Sequence, residues 1–257
     1  MGHSEHDRVI ARAFTEQAAG FDASAVANAQ TLLDAIVGIA EPQAGERWLE
    51  AACGPGVIAR AFAPHVASVH GVDLTPAMID TARRRAAEAG APNLTFDVAD
   101  ATATGLPAAS FDGAVTRFSI HHLPVPARLF EELARIVRPG GRLVIADHLA
   151  DEDADARAWS QEIERLRDPS HWASVTAEQM RVFGERAGLE LSDERRLAFE
   201  LDFDDWLTRG SRNRVAHGLV DRALADAPAA ARAFTVRERA EGRRLTLELW
   251  LGLWTRP

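Results

Sequence analysis

Apolar residues change their period several times along this chain. From Val9 to Ile39 they recur at mixed three- and four-residue spacings, which predicts helix broken near Gly20, and Pro42 and Gly45 then mark a loop. Between Arg47 and Asp147 short apolar runs alternate with amphipathic stretches. "RWLEAA", "VASVHGVDL", "LTFDVAD", "FDGAVTRF" and "RLVIAD" read as buried strands. "VIARAFAPH", "AMIDTARRRAAEA" and "PARLFEELARIV" read as helices, stopped by Pro64, Gly90 and Pro139-Gly140-Gly141. Thr75 is the predicted cap of the second of these, with Pro76 in its first turn, where a missing N–H costs nothing.

The remainder reads differently. "DEDADARAWSQEIERLRDPSHW" is helical up to Pro169. "TAEQMRVFGERAG" is a helix with Thr176 and Gln179 spaced as a capping box and Gly188 past its end. "LELSDERRLAFELDF" predicts a sixth strand. After a helical insert, "RLTLELWLGLW" alternates as a seventh, antiparallel one. Strand–helix alternation with short apolar strands predicts an α/β fold, a doubly wound and mostly parallel seven-stranded sheet with helices on both faces. The expected organisation is an N-terminal helical lid over 1–45, a ligand-binding core over 46–150, and a cap with the final strands over 151–257, all within one overall domain. Ligands of such sheets sit beyond the carboxyl ends of the strands. Glu50, Asp73, Asp100, Arg117 and Asp147 hold those positions.

Composition narrows the function classes. The 257 residues are 47% hydrophobic, enough for a full core, and carry a formal charge of -9. No basic stripe is present, so nucleic acid is not the expected partner, and Arg83-Arg84-Arg85 reads as a solvated helix face. The single cysteine, Cys53, excludes an internal disulfide and reads as a small buried filler. Tyrosine is absent, which excludes phenol-based catalysis by the protein. No signal peptide or transmembrane run is evident, so the expectation is a cytoplasmic protein without membrane insertion, a monomer or homodimer.

"GPGVIA" satisfies G-x-G-x-x-A, with Asp73 placed where a dinucleotide fold has its ribose acid. Charge argues against a dinucleotide. A pyrophosphate would sit near Glu50, and like charges within about 4–6 Å in a partly buried cleft are costly. S-adenosylmethionine carries a sulfonium, an ammonium and a carboxylate, so the acids Glu50, Asp73 and Asp100 suit it.

"WLEAACGPG", "VHGVDLTPAMIDTAR", "FDVADATATGLP", "FDGAVTRFSIHHL" and "RIVRPGGRLVIAD" resemble, in order and spacing, the motifs of class I S-adenosylmethionine-dependent methyltransferases, a Rossmann-like family. The nearest flavour is the ubiquinone/menaquinone-biosynthesis-like small-molecule group. The resemblance spans Arg47 to Asp147. It implies that Glu50, Ala52, Gly54 and Gly56 line the methionine part of S-adenosylmethionine; the helix after the turn can still offer N–H groups to its carboxylate. Ala52 stands where many relatives have glycine, which is tolerable at negative φ. The resemblance further implies Asp73 on the ribose hydroxyls, Leu74 and Met78 near adenine, and Asp100 and Ala101 on the adenine edge. Arg117 follows the strand whose backbone passes the methionine, and Phe21 matches an aromatic of the N-terminal lid.

Methyl transfer mainly needs the acceptor aligned and water excluded, with a base where the acceptor is a hydroxyl or acidic carbon. His122 and His148 are the expected base or acceptor-orienting residues. His121, Asp147, His171 and Trp172 are expected at the substrate. His3 and His6, in a terminus expected to fray, are set aside. No metal is expected: adjacent histidines do not readily share an ion, and H-x-x-x-H is missing. The acceptor expected is a small organic molecule such as a phenol, quinol or natural-product intermediate, methylated on oxygen or carbon. Two alternatives stay open: a non-transfer reaction on the same cofactor (cyclisation or decarboxylation), and a nicotinamide-dependent oxidoreductase.

Overall fold

A computed structural model describes residues 5–22, 30–210 and 213–257, with only the backbone described for 17–22. Five strands build the parallel part of the sheet: β1 (Arg47–Ala51), β2 (Ser68–Asp73), β3 (Leu94–Val98), β4 (Phe111–Arg117) and β5 (Val137–His148). They lie in the order β3-β2-β1-β4-β5. Strand order therefore reverses between β1 and β4, which places a ligand crevice at their carboxyl ends. Helices α1 (Glu5–Asp22), α2 (Gln30–Ala40), α3 (Val57–Phe62), α4 (Pro76–Glu88) and α5 (Ala127–Ile136) precede or connect these strands.

The C-terminal third extends the same sheet. Helices α6 (Ala154–Arg167) and α7 (Ala177–Arg186) lead to β6 (Glu190–Asp202), and α8 (Phe203–Gly210) and α9 (Arg214–Ala225) lead to β7 (Phe234–Arg239) and β8 (Gly242–Thr255). β8 inserts between β5 and β6, antiparallel to both, and its first half also pairs with β7. The sheet thus has eight strands among the described residues, where seven were expected. The added strand is "FTVRER", too short and too polar to stand out from the helical insert before it.

Alternation along β8 distributes its side chains between two core layers. Leu249 and Leu251 join the layer of α2, α3 and α4, while Trp250 and Trp254 join that of α5 and α7. Gly252 lies on the tryptophan side, where a Cβ would come within 1.9 Å of the Trp250 ring. A third cluster, with Ile163, Leu201, Phe203, Trp206, Val220, Phe234 and Leu245, holds α6, α8 and α9 against β6–β8. The capping box on α7 is present, with Thr176 accepting from Gln179 N–H and the Gln179 side chain accepting from Thr176 N–H. Thr75 differs: it holds the cap position of α4, but its side chain makes no capping bond. Asp73 instead accepts from Thr75 N–H at 2.8 Å.

Candidate active site

Glu50 stands one residue before the end of β1, and its side chain turns under the start of α3. It accepts from Ile58 N–H at 3.3 Å and Ala59 N–H at 2.7 Å. These are donors that helix geometry leaves unpaired. The expected offer of α3 N–H groups to a ligand carboxylate is narrowed: two of those donors, Ile58 N–H and Ala59 N–H, are occupied by the protein's own acid. The same contact closes the helix end to a pyrophosphate, so this glycine turn favours a cation over an anion. Burial pushes the Glu50 carboxyl up to about 7, against the Ala59 N–H and the Arg117 guanidinium. Arg117, at the end of β4, is lowered to about 10 by its own burial, with Glu50 opposing.

The turn after β1 is strained at one unexpected place. Gly54 has φ +50 and open space where a Cβ would be. Gly56 has φ +71 and packs on Phe96, whose ring would lie 2.8 Å from an added Cβ. Gly56 thus serves packing and does not line the cavity described below. Ala52 also lies in the left-handed region, at φ 51, so the expectation of a negative φ is overturned. Phe118, following Arg117, has φ 54. Two non-glycine residues therefore hold this conformation at neighbouring strand ends, a feature that clusters at functional sites.

Asp73, at the end of β2, accepts from Gly54 N–H and Thr75 N–H, both at 2.8 Å. Burial raises its carboxyl above the ordinary range, and those bonds oppose the rise. Each carboxylate oxygen retains a lone pair for a ligand. Asp100 accepts from Thr102 N–H and the Thr102 hydroxyl through Oδ1, which closes its loop and leaves Oδ2 over.

A cavity of about 380 Å³ opens beyond β1, β2 and β4. Among the residues expected from sequence, Glu50, Ala52, Gly54, Asp73, Leu74, Met78, Asp100, Ala101 and Arg117 line it, as do His121, His122 and His148. Asp147, His171 and Trp172 do not. The side chain of Phe21 lies outside the described residues, as does all of His3. Phe14, on α1, lines the cavity and meets His122 in an edge-to-face arrangement with ring centroids 4.9 Å apart. His6 is well placed against the expectation of fraying: its Nε2 is 2.9 Å from the His122 carbonyl oxygen, and its ring meets Trp172 edge-on.

The histidines are fixed by their partners. Asp147 is buried behind His121, accepting from its Nδ1 at 2.7 Å and from the N–H groups of Ile120 and His148. The His121 proton thus sits on Nδ1 and the lone pair on Nε2. His122 Nδ1 donates to the Ser170 carbonyl at 3.0 Å, which likewise leaves its lone pair on Nε2. His148 Nδ1 lies 3.3 Å from the Ser174 hydroxyl. His171 Nε2 is 2.7 Å from Gln161 Oε1. Trp172 is 45% exposed and its backbone N–H donates to the His121 carbonyl, a surface position outside the cavity. Burial holds His121 well below the usual histidine range and takes His148 down to about 3, so both rings are neutral at pH 7.

Sequence reasoning missed the far wall. Glu164 and Arg167 on α6, Asp168, and Arg209 on α8 all line the cavity. Arg167 lies 3.7 Å from Glu164 and 3.6 Å from Asp168, over the face of Trp206. Burial, with Asp168 nearby, pushes Glu164 up to about 7 against Arg167. Phe118, Phe199, Leu201, Trp206 and Leu247 supply apolar wall between this set and the glycine turn. Charged residues on amphipathic helices read as solvated faces, and only the i, i+3 spacing of Glu164 and Arg167 hinted at pairing.

Known proteins match this geometry. The methyltransferase domain family matches residues 49–145. The uncharacterized methyltransferase YcgJ of Bacillus subtilis is 31% identical over 178 residues, covering 69% of this chain and 70% of that protein. Its crystal structure superimposes with a TM-score of 0.82 at 27% identity, over 87% of this chain and 97% of that one. The aklanonic acid methyltransferase DauC of a Streptomyces species is 34% identical over 146 residues, 56% of this chain and 66% of its own length. The demethylmenaquinone methyltransferase of Clavibacter sepedonicus is 32% identical over 54% of this chain and 57% of its own length. Among the described residues no helix is long and apolar enough to cross a membrane. The chain belongs to the class I S-adenosylmethionine-dependent methyltransferases, with S-adenosylmethionine as its cofactor.

Proposed function

We propose that the protein methylates oxygen or carbon of a small, ring-bearing organic acceptor such as a phenol or quinol. The observation that carries this reading is one cavity holding three elements: strand-end acids at one end, histidine lone pairs beside them, and aromatic walls beyond. Bound there, S-adenosylmethionine supplies an electrophilic methyl group on a good leaving group. Asp73 takes the ribose hydroxyls with its remaining lone pairs. Leu74 and Met78 pack on adenine, with Asp100 Oδ2 accepting from its amine and the Ala101 N–H donating to its ring. Glu50 and Arg117 form a paired acid and base suited to the ammonium and carboxylate of the amino-acid end.

His122 is the residue to receive the acceptor proton. Its Nδ1 is committed to Ser170, and its Nε2 lone pair belongs to a cavity-lining ring. His121 and His148, neutral and buried, orient the acceptor, with Asp147 fixing the His121 ring. Phe14, Phe118, Phe199 and Trp206 exclude water and give the acceptor ring apolar faces. Relatives that act on aklanonic acid and on demethylmenaquinone support a carbocyclic acceptor.

A labelled-methyl assay against phenols, quinols, amines and thiols tests the proposal. Transfer to a phenol or quinol, lost in His122→Asn, is the expected result. Firm S-adenosylhomocysteine binding with transfer to none of the panel would favour a non-transfer reaction instead.

A further inference from the structure

The hydrogen bonds around the buried histidines leave a set of lone pairs that includes one on His171, a residue the proposed transfer does not use. Gln161 is fixed in orientation: its Nε2 donates to the Ser174 carbonyl, and its Oε1 accepts from Ser174 N–H. Oε1 must then accept from His171 Nε2, which places the His171 lone pair on Nδ1. That atom is buried and has no hydrogen-bond partner. An orphaned buried acceptor of this kind calls for an explanation. His121 carries its lone pair on Nε2 because Asp147 holds Nδ1. Ser174 lies against Nδ1 of His148, and Nε2, 3.9 Å from Asp147 Oδ1, makes no hydrogen bond to it. One nitrogen from each of these three buried rings lies within 4.8 Å of one from each of the others.

We propose that His121, His148 and His171 hold a divalent transition-metal ion, zinc by preference, through these lone pairs. The donor set is three neutral imidazoles, which suits zinc. Each ring has an outer partner on its other nitrogen, Asp147, Ser174 or Gln161, the arrangement that fixes tautomer and orientation at metal sites. Zinc–nitrogen bonds of 2.0–2.1 Å imply nitrogens about 3.4 Å apart, so binding draws the three rings together. Of the charged side chains acting on the three rings, Asp147 favours a cation and Arg165 and Arg167 oppose it, so the site rests on the lone pairs and on Asp147 rather than on a general excess of acid. His121 and His148 line the cavity and His171 stands behind them, which leaves the fourth coordination position to face the acceptor. Three protein ligands and one open position form the pattern of catalytic zinc. The adjacency argument against a metal holds only for His122, which stays outside the cluster. There the ion would draw the acceptor oxygen and lower its pKa, with His122 still the proton acceptor.

The test titrates chelator-treated protein with Zn2+ alone by calorimetry and with Co2+ by visible absorption, without methyl donor or acceptor. Stoichiometric zinc binding and ligand-field bands of a low-coordinate cobalt site are expected. His171→Asn, one layer behind the cavity lining, should weaken binding at least tenfold, and Gln161→Ala about tenfold through the outer partner. Retained S-adenosylhomocysteine binding in both variants verifies the fold. No saturable zinc binding by the wild-type chain, or unchanged affinity in both His121→Asn and His171→Asn, would overturn the site. The methyl-transfer reading has its own assay, so either can fail while the other stands.

Discussion

At the scale of single residues, the strand-end acids each do two jobs, and substitution separates them. Asp73 both closes the glycine turn through Gly54 and Thr75 and, in the proposed role, accepts the ribose hydroxyls. Asp73→Asn keeps the shape and one acceptor oxygen but removes the charge. Affinity for S-adenosylhomocysteine should fall tenfold or more, the order expected for hydrogen bonds to a charged group. Calorimetry checks this, and an unchanged affinity would reject the ribose assignment. Ala52 gives a prediction of opposite sign. Its φ of 51 places an alanine where L-residues with a Cβ are disfavoured by roughly 1–2 kcal/mol. Ala52→Gly relieves that strain but adds chain entropy to the unfolded state. A net gain of about 0.5–1 kcal/mol is expected by chemical denaturation. A loss would mean that the Ala52 methyl is a packing contact worth more than its strain.

At the scale of elements, the cap is held to the core by side chains that meet across β8. Gly184 on α7 lies against the Trp254 ring, with an added Cβ only 2.4 Å from it. Glycine-to-alanine changes inside helices usually stabilise by about 1 kcal/mol. Here Gly184→Ala should destabilise instead, by about 1–3 kcal/mol, because a fully buried tryptophan must move. A rise in melting temperature would show that Trp254 has room to yield. This packing also shows where sequence reading stops. The parallel strands were legible because each is an apolar run with a polar residue at or within two residues of its crevice end, and the capping box of Thr176 and Gln179 because its spacing is local. β7 was not, because "FTVRER" becomes a strand only through its hairpin with β8. Nor was the zwitterionic wall, since Glu164 and Arg167 of α6 meet Arg209 of α8 only when the two helices fold over the sheet. Arg167 needs Gly210 beside it, where a Cβ would lie 2.3 Å from its Nε. The His121, His148 and His171 meeting likewise joins a turn, a strand end and a loop far apart in the chain.

At the scale of the whole molecule, the stability of the fold should depend on pH in a way set by its buried acids and histidines together. The histidines set the acid side. His121 and His148 are buried neutral with lowered pKa, so the unfolded chain binds protons first and stability is lost as pH falls below 6.5. Glu164 works in the other direction. Its ordinary value of 4.5 is raised to about 7 in the folded protein, with burial the first cause. At pH below 4.5 the carboxyl is protonated in both states and costs nothing. As pH rises past 4.5 the unfolded chain releases the proton while the folded chain keeps it until about 7, so stability declines across that window. The decline is at most about 3 kcal/mol for this group. The opposing limbs overlap between pH 4.5 and 6.5, so wild-type stability alone cannot isolate either. Glu164→Gln removes one titration and keeps the shape. The variant and the wild type should therefore be similar at pH 5, with the variant gaining on the wild type by a few kcal/mol or less at pH 8. Urea denaturation at both values measures the change in their difference. A difference independent of pH would mean that Arg167 holds the Glu164 carboxylate ionised in the folded state, and that this wall of the cavity presents a full negative charge to the acceptor at every pH in the range.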